Sequence, residues 1–146
     1  MRDVPPGVAP RTRLDRLVSV RERSEDSALE TLSRAQRGVA RATERLAGLR
    51  ETARADRRQP GVADLWAVEE IAHIRVLRAV EAAEGDVAKA LRTERAAQSG
   101  YVDARRSAEV VRRAQEKKRA ELRDDRERRE RKALDELATL AFNSRR

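Results

Sequence analysis

The sequence predicts an all-α fold: a long antiparallel two-helix coiled-coil hairpin whose second helix extends beyond the first. Three observations carry that expectation. Of the 146 residues 41% are charged, and Trp, Tyr and Phe occur once each, so the apolar content is mostly Ala, Leu and Val and cannot fill a globular core. Six Gly and four Pro are few for this length, and the prolines fall at two places only. Between and after those places, apolar residues recur at alternating steps of four and three, the spacing that keeps one helix face against a partner.

The breakers set the elements. "VPPGVAP" at 4–10 precludes a helix at the start, leaving 1–10 irregular, and "RRQPGVAD" at 57–64 holds the only other proline. One coiled-coil hairpin over 11–142 follows, with helix one at about 11–57, a turn at about 58–62, helix two at about 63–142 and a tail at 143–146. At 1.5 Å per residue the second helix would run roughly 120 Å, a length that requires a partner because helix nucleation is costly and propensity weak.

The seam supplies that partner. In helix one it runs through Leu14, Val18, Arg21, Glu25, Ala28, Leu32, Ala35, Val39, Ala42, Leu46, Leu49 and Ala53. Helix two carries Trp66, Glu69, His73, Val76, Val80, Ala83, Val87, Ala90, Glu94, Ala97, Tyr101, Ala104, Ala108 and Val111. Folding about Gly61 sets Leu49 opposite His73, Val39 opposite Ala83, Leu32 opposite Ala90, Arg21 opposite Tyr101 and Leu14 near Ala108. A slip of one heptad alters few of these pairings in kind, because so many seam residues are Ala. Small seam residues bury little area at about 0.8 kcal/mol per CH₂, so moderate stability is expected. Arg21, Glu25 and Glu94 fall in neighbouring layers, where Arg21 could satisfy either carboxylate and fix the register.

In this register the second helix outruns the first from about Arg112 onward. Residues 112–132 hold eleven Lys or Arg and six Asp or Glu, with only Ala114, Ala120 and Leu122 apolar. Pairs of opposite sign at i, i+4, such as Asp125 with Arg129 and Glu127 with Arg131, support an isolated helix by about 0.3–0.5 kcal/mol each. A stripe then follows: Leu134, Leu137, Ala138 and Ala141 share a face, with Leu140 and Phe142 close by. Either a partner covers it or it folds back on Leu14 and Leu17.

The ending "RKALDELATLAF" resembles the C-terminal signature of the FliJ/YscO family of type III export stalk proteins. In that family a basic, charge-rich helix leads to a Leu/Met-Asp-Glu-apolar-Ala motif, which Leu134, Asp135, Glu136, Leu137 and Ala138 match position by position. The first helix is similar too, with its opening leucines, the step Arg21-Glu22-x-x-Glu25-Asp26-x-Ala28 and the following Ala35-Gln36-Arg37. The resemblance covers about residues 11–142. It implies a central stalk, like the γ subunit of rotary ATP synthases, whose end bearing both termini associates with a hexameric export ATPase. It further implies ATPase contact through Arg126, Arg129, Leu134, Asp135, Glu136, Leu137, Ala138 and Phe142.

Near the turn, Val68, Ile71 and Ile74 lie off the seam, where a two-stranded coil should be polar. The resemblance implies contact there with the cytoplasmic domain of the export gate and with escort chaperones, through Val68, Ile71, Ile74, Arg75 and Arg78. Flagellar members often carry aromatics in this region, whereas this chain has aliphatics, with Trp66 on or near the seam. Self-association through the patch is the rival reading.

Other chemistry finds little support. The chain's one histidine, His73, lies a turn from Glu69 and Glu70, but zinc normally takes three or four protein ligands and no second His or any Cys exists. Ser24, Ser27, Ser33, Ser99 and Ser107 lack a base, and no Gly-rich phosphate loop is present, so no enzyme and no cofactor is expected. A net charge of +8 raises nucleic-acid binding through 112–132. Interleaved acids and missing aromatics argue against it. A structural coiled coil that dimerises through its free stripe is the other alternative. The absence of cysteine suits a reducing compartment. No apolar run nears the roughly 20 residues that span a bilayer, and the N-terminus lacks a signal-peptide core, so a cytoplasmic protein peripheral to the inner-membrane export apparatus is expected. Composition leaves open whether the apparatus is a flagellum or an injectisome.

Overall fold

The first helix starts where its own side chains close its free amides. In the computed structural model, which describes residues 11–55 and 63–144, Thr12 and Asp15 bond reciprocally just beyond Pro10. The Thr12 N–H donates to Asp15 Oδ2 at 3.1 Å, its hydroxyl donates to Asp15 Oδ1 at 2.7 Å, and the Asp15 N–H donates to the Thr12 carbonyl at 3.2 Å. This is half of a capping box: the Asp15 carboxylate closes the Thr12 amide, while the Thr12 hydroxyl donates to that carboxylate instead of accepting from the Asp15 N–H, and the negative charge in the first turn also suits the helix dipole. Helix α1 (Leu14–Ala55, 42 residues) follows, and then α2 (Ala63–Asn143, 81 residues). The two helices pack against each other and α2 is the longer. The expected turn at 58–62 and the segment 1–10 lie outside the described residues.

The alternation of three and four marks the buried face correctly. Every α1 seam position from Leu14 to Ala53 is buried or half-buried except Arg21, and every α2 seam position from Glu69 to Val111 is too. Trp66, expected on or near the seam, is exposed instead. Helical contacts divide the chain into two units, one formed by Asp26–Asp103 and the other by Met1–Glu25 with Ala104–Arg146.

Within the Asp26–Asp103 unit the helix pair is held by aliphatic residues. Leu46 and Ala83 are buried, and Leu32, Val39, Leu49, Val76, Val80 and Val87 are half-buried along the same faces. An ion pair crosses between the helices, Arg50 Nη2 to Glu84 Oε1 at 2.7 Å, with both side chains about half exposed. Pairs so exposed contribute little to stability, so apolar burial carries this unit.

The other unit is held differently. Val18 and Ala108 are its buried apolar residues, and around them sits a polar cluster. Asp15 Oδ1 accepts from Gln115 Nε2 at 2.7 Å and from Arg119 Nη2 at 3.2 Å. Arg112 reaches both Glu22, at 3.3 Å, and Glu25, at 2.5 Å. These contacts run antiparallel and correct the expected register. Asp15 lies against Gln115 and Arg119, where Leu14 was expected near Ala108, so the pairing is displaced toward the end of α2 by between one and two heptads. The polar layer is corrected as well: Glu25 is held by Arg112 and not by Arg21, which is exposed. Alanines at many seam positions make neighbouring registers similar in apolar burial, and the polar contacts discriminate between them.

Candidate functional site

The displaced register moves the point where α2 leaves its partner. Arg112, Gln115 and Arg119 belong to the helix pair, and every residue from Glu121 to Ser144 is exposed. The free segment therefore starts near 121 and not near 112.

Its first half is stabilised along its own surface. Lys118 pairs with Glu121 at 2.9 Å, Arg126 with Glu130 at 2.8 Å, Arg131 with Glu127 at 3.5 Å and Arg128 with Asp125 at 4.0 Å. The Lys118 ammonium is pushed above its usual range and the Glu121 carboxyl below its own, each chiefly by the hydrogen bond to the other. These spacings let a helix persist without a neighbour. Asp125 bonds Arg128 and not the expected Arg129, so Arg129 keeps an ion-pairing site open among the described residues.

The second half carries the apolar stripe. Leu134, Leu137, Leu140 and Phe142 are 64%, 62%, 65% and 64% exposed, and Asp135, Glu136 and Ala138 between them are exposed too. No fold-back covers this face, since all of these residues remain open while Leu17 of α1 is itself 41% exposed. Four large apolar side chains presented to solvent within nine residues form the kind of exposed patch that marks an interaction surface. Among the described residues no helix is long and apolar enough to cross a membrane.

The Asp26–Asp103 unit carries the second apolar face. Val68, Ile71 and Ile74 are 64%, 53% and 40% exposed, with Arg75 and Arg78 exposed beside them. Leu77, not singled out from the sequence, extends this face and is also exposed. Its position next to the seam residue Val76 hid it, because along the sequence it reads as part of the buried run.

The Asp15 cluster was also missed. Thr12 and Asp15 carry a capping spacing visible in the sequence, but their meeting with Gln115 and Arg119 depends on a register that the alanines leave open. Thr12 holds the Asp15 carboxyl far below the usual range through its hydroxyl, with Gln115, the Thr12 N–H and Arg119 acting in the same direction. His73 sits half-buried on the seam, and the described residues contain no group of three or more His, Cys, Asp or Glu placed to hold a metal ion.

Two unequal antiparallel helices, a charged free segment and an apolar Leu-Asp-Glu-Leu-Ala ending are thus combined in one chain. Residues 10–146 match the family model described as the flagellar FliJ protein. The chain belongs to the FliJ family. This decides between the two kinds of export apparatus that the sequence left open: FliJ is a component of flagellar type III export. FliJ is a structural export-stalk family and not a known enzyme family. Comparison with curated proteins and with solved structures gave no match.

Proposed function

We propose that this FliJ chain is a non-enzymatic stalk that couples the hexameric export ATPase to the export gate. The observation that supports the reading most is the free α2 segment beyond Ala120, fully exposed and ending in Leu134, Leu137, Leu140 and Phe142. Such a segment is stable enough to stay helical through its own ion pairs, and it offers apolar anchors that a ring of subunits can enclose. Arg126, Arg129, Asp135 and Glu136 form the polar border of that contact, and Ala138 lies with the leucines on its apolar side. Charge at the rim of such a contact steers association, while the desolvated leucines supply affinity.

The face of Val68, Ile71 and Ile74, with Arg75 and Arg78, is proposed to meet the cytoplasmic domain of the gate and to receive export chaperones. The chain then works in the cytoplasm, peripheral to the inner-membrane apparatus. Its effect on hydrolysis is coupling: a stalk that binds the assembled ring better than its separate subunits raises turnover by mass action alone. Removing residues 133–146 tests the ATPase contact. The shortened chain should keep its helix pair and fail to co-elute with the ATPase; unchanged co-elution would remove the assignment.

A further inference from the structure

The two units hold their helices together by different physics. In the Asp26–Asp103 unit, aliphatic side chains line the seam and an exposed ion pair, Arg50 with Glu84, crosses it. In the other unit Val18 and Ala108 are buried and Leu14, Ala104 and Val111 half-buried, and beside them Asp15, Glu22 and Glu25 of α1 all face Gln115, Arg112 and Arg119 of α2. Glu25 is the least exposed of these carboxylates, and Arg112 reaches it. Arg119 Nε is buried with no acceptor, so the cluster also contains an uncompensated donor.

We propose that this cluster is an electrostatic latch: α1 residues 14–25 detach from α2 as one unit, while the pairing of residues 26–103 stays intact. Released from α2, residues 14–25 become the unsupported end of α1 and fray, because the stability of a helix in a protein comes mostly from the packing of its face rather than from propensity. The facing stretch of α2 stays helical, continuous with the rest of the helix and supported by pairs such as Glu109 with Arg113 and Lys118 with Glu121. Opening therefore lengthens the free segment of α2 from 121–143 to about 104–143 and uncovers Ala104, Ala108 and Val111 in line with it. On the reading that the free segment enters the ATPase ring, the latch sets how much helix is available to the ring.

Amide hydrogen exchange of the full chain tests this, measured on the free protein at about 50 mM and about 500 mM NaCl, where screening of exposed charges differs strongly. The latch predicts that salt speeds exchange of residues 14–25 by about tenfold, speeds 104–119 less, and leaves 28–53 and 69–103 unchanged. Arg112→Gln should reproduce the effect at low salt. Glu25→Arg combined with Arg112→Glu should restore protection that either change alone removes. Equal acceleration of both units by salt, or full protection of 14–25 in Arg112→Gln, would overturn the latch. The measurement contains no ATPase, so a closed latch leaves the ring reading standing, and a failed ATPase contact leaves the latch standing.

Discussion

Asp15 accepts a hydrogen bond from Gln115 Nε2 at 2.7 Å, joining the first turn of α1 to a residue one hundred positions later in the chain. The same carboxylate closes the Thr12 amide and receives Arg119, so one side chain both starts a helix and sets how it docks. All of these donors favour the ionised form, with the Thr12 hydroxyl first among them.

The pH dependence follows from that direction. A carboxylate whose pKa is depressed on folding contributes stability that is fully present above its unfolded value, near 3.8, and lost as pH falls toward the folded one. Thermal unfolding of the wild type and of Asp15→Asn should therefore differ by the same amount at pH 7 and pH 5, and the gap should shrink below about pH 4. A gap that already closes between pH 7 and pH 5 would mean that another group is responsible.

The aliphatic seam should respond as a packed core does, within the limits of a two-helix structure. Leu46→Ala, at a buried position, is expected to cost about 2 kcal/mol, the low end for such truncations because neighbouring positions are only half-buried. Gly85→Ala should have the opposite sign. Gly85 lies inside α2 and a Cβ there meets nothing within 4 Å, so the change should add about 0.5–1 kcal/mol. Urea unfolding followed by circular dichroism measures both.

Much of the fold was legible in the sequence because helix period and burial are the same information. From Leu14 to Ala53, and again from Glu69 to Val111, the steps of three and four name the face that is covered, with Arg21 the exception. Register was not legible. Ala28, Ala35, Ala42, Ala83, Ala90 and Ala97 pack similarly against one another in several alignments, and the contacts that discriminate come from long polar side chains whose reach no periodicity encodes. For the same reason Arg112 was read as the start of a free helix when it is the main cation of the helix pair. The exposed faces were legible as departures from the pattern: Val68, Ile71 and Ile74 off the seam, and the leucines beyond 133 with no partner residues left in α1.

Those faces should be separable from stability. Ile71→Asp with Ile74→Asp removes apolar surface that is already about half exposed, so the melting temperature should change little, within about 0.5 kcal/mol per site. Flagellar export in cells carrying the double change should fall sharply if this face meets the gate. Normal export with a normally folded variant would assign the face elsewhere.

The corresponding change in the free segment, Leu134→Asp with Leu137→Asp, should likewise leave the helix pair intact. Because the two leucines are proposed as anchors, the variant should lose association with the ATPase even at low salt, whereas Arg129→Ala should weaken it mainly as salt rises. Sedimentation of mixtures across a salt series distinguishes the two behaviours.

Engagement of the export ATPase by the free end of α2 is tested by the ATP hydrolysis rate of the purified ATPase with and without the full chain, with co-elution of the two followed on a sizing column. Co-elution and faster hydrolysis are expected with the wild type, and neither with Leu134→Asp/Leu137→Asp. No association of the wild-type chain at low or moderate salt, or equal stimulation by the double variant, would contradict it.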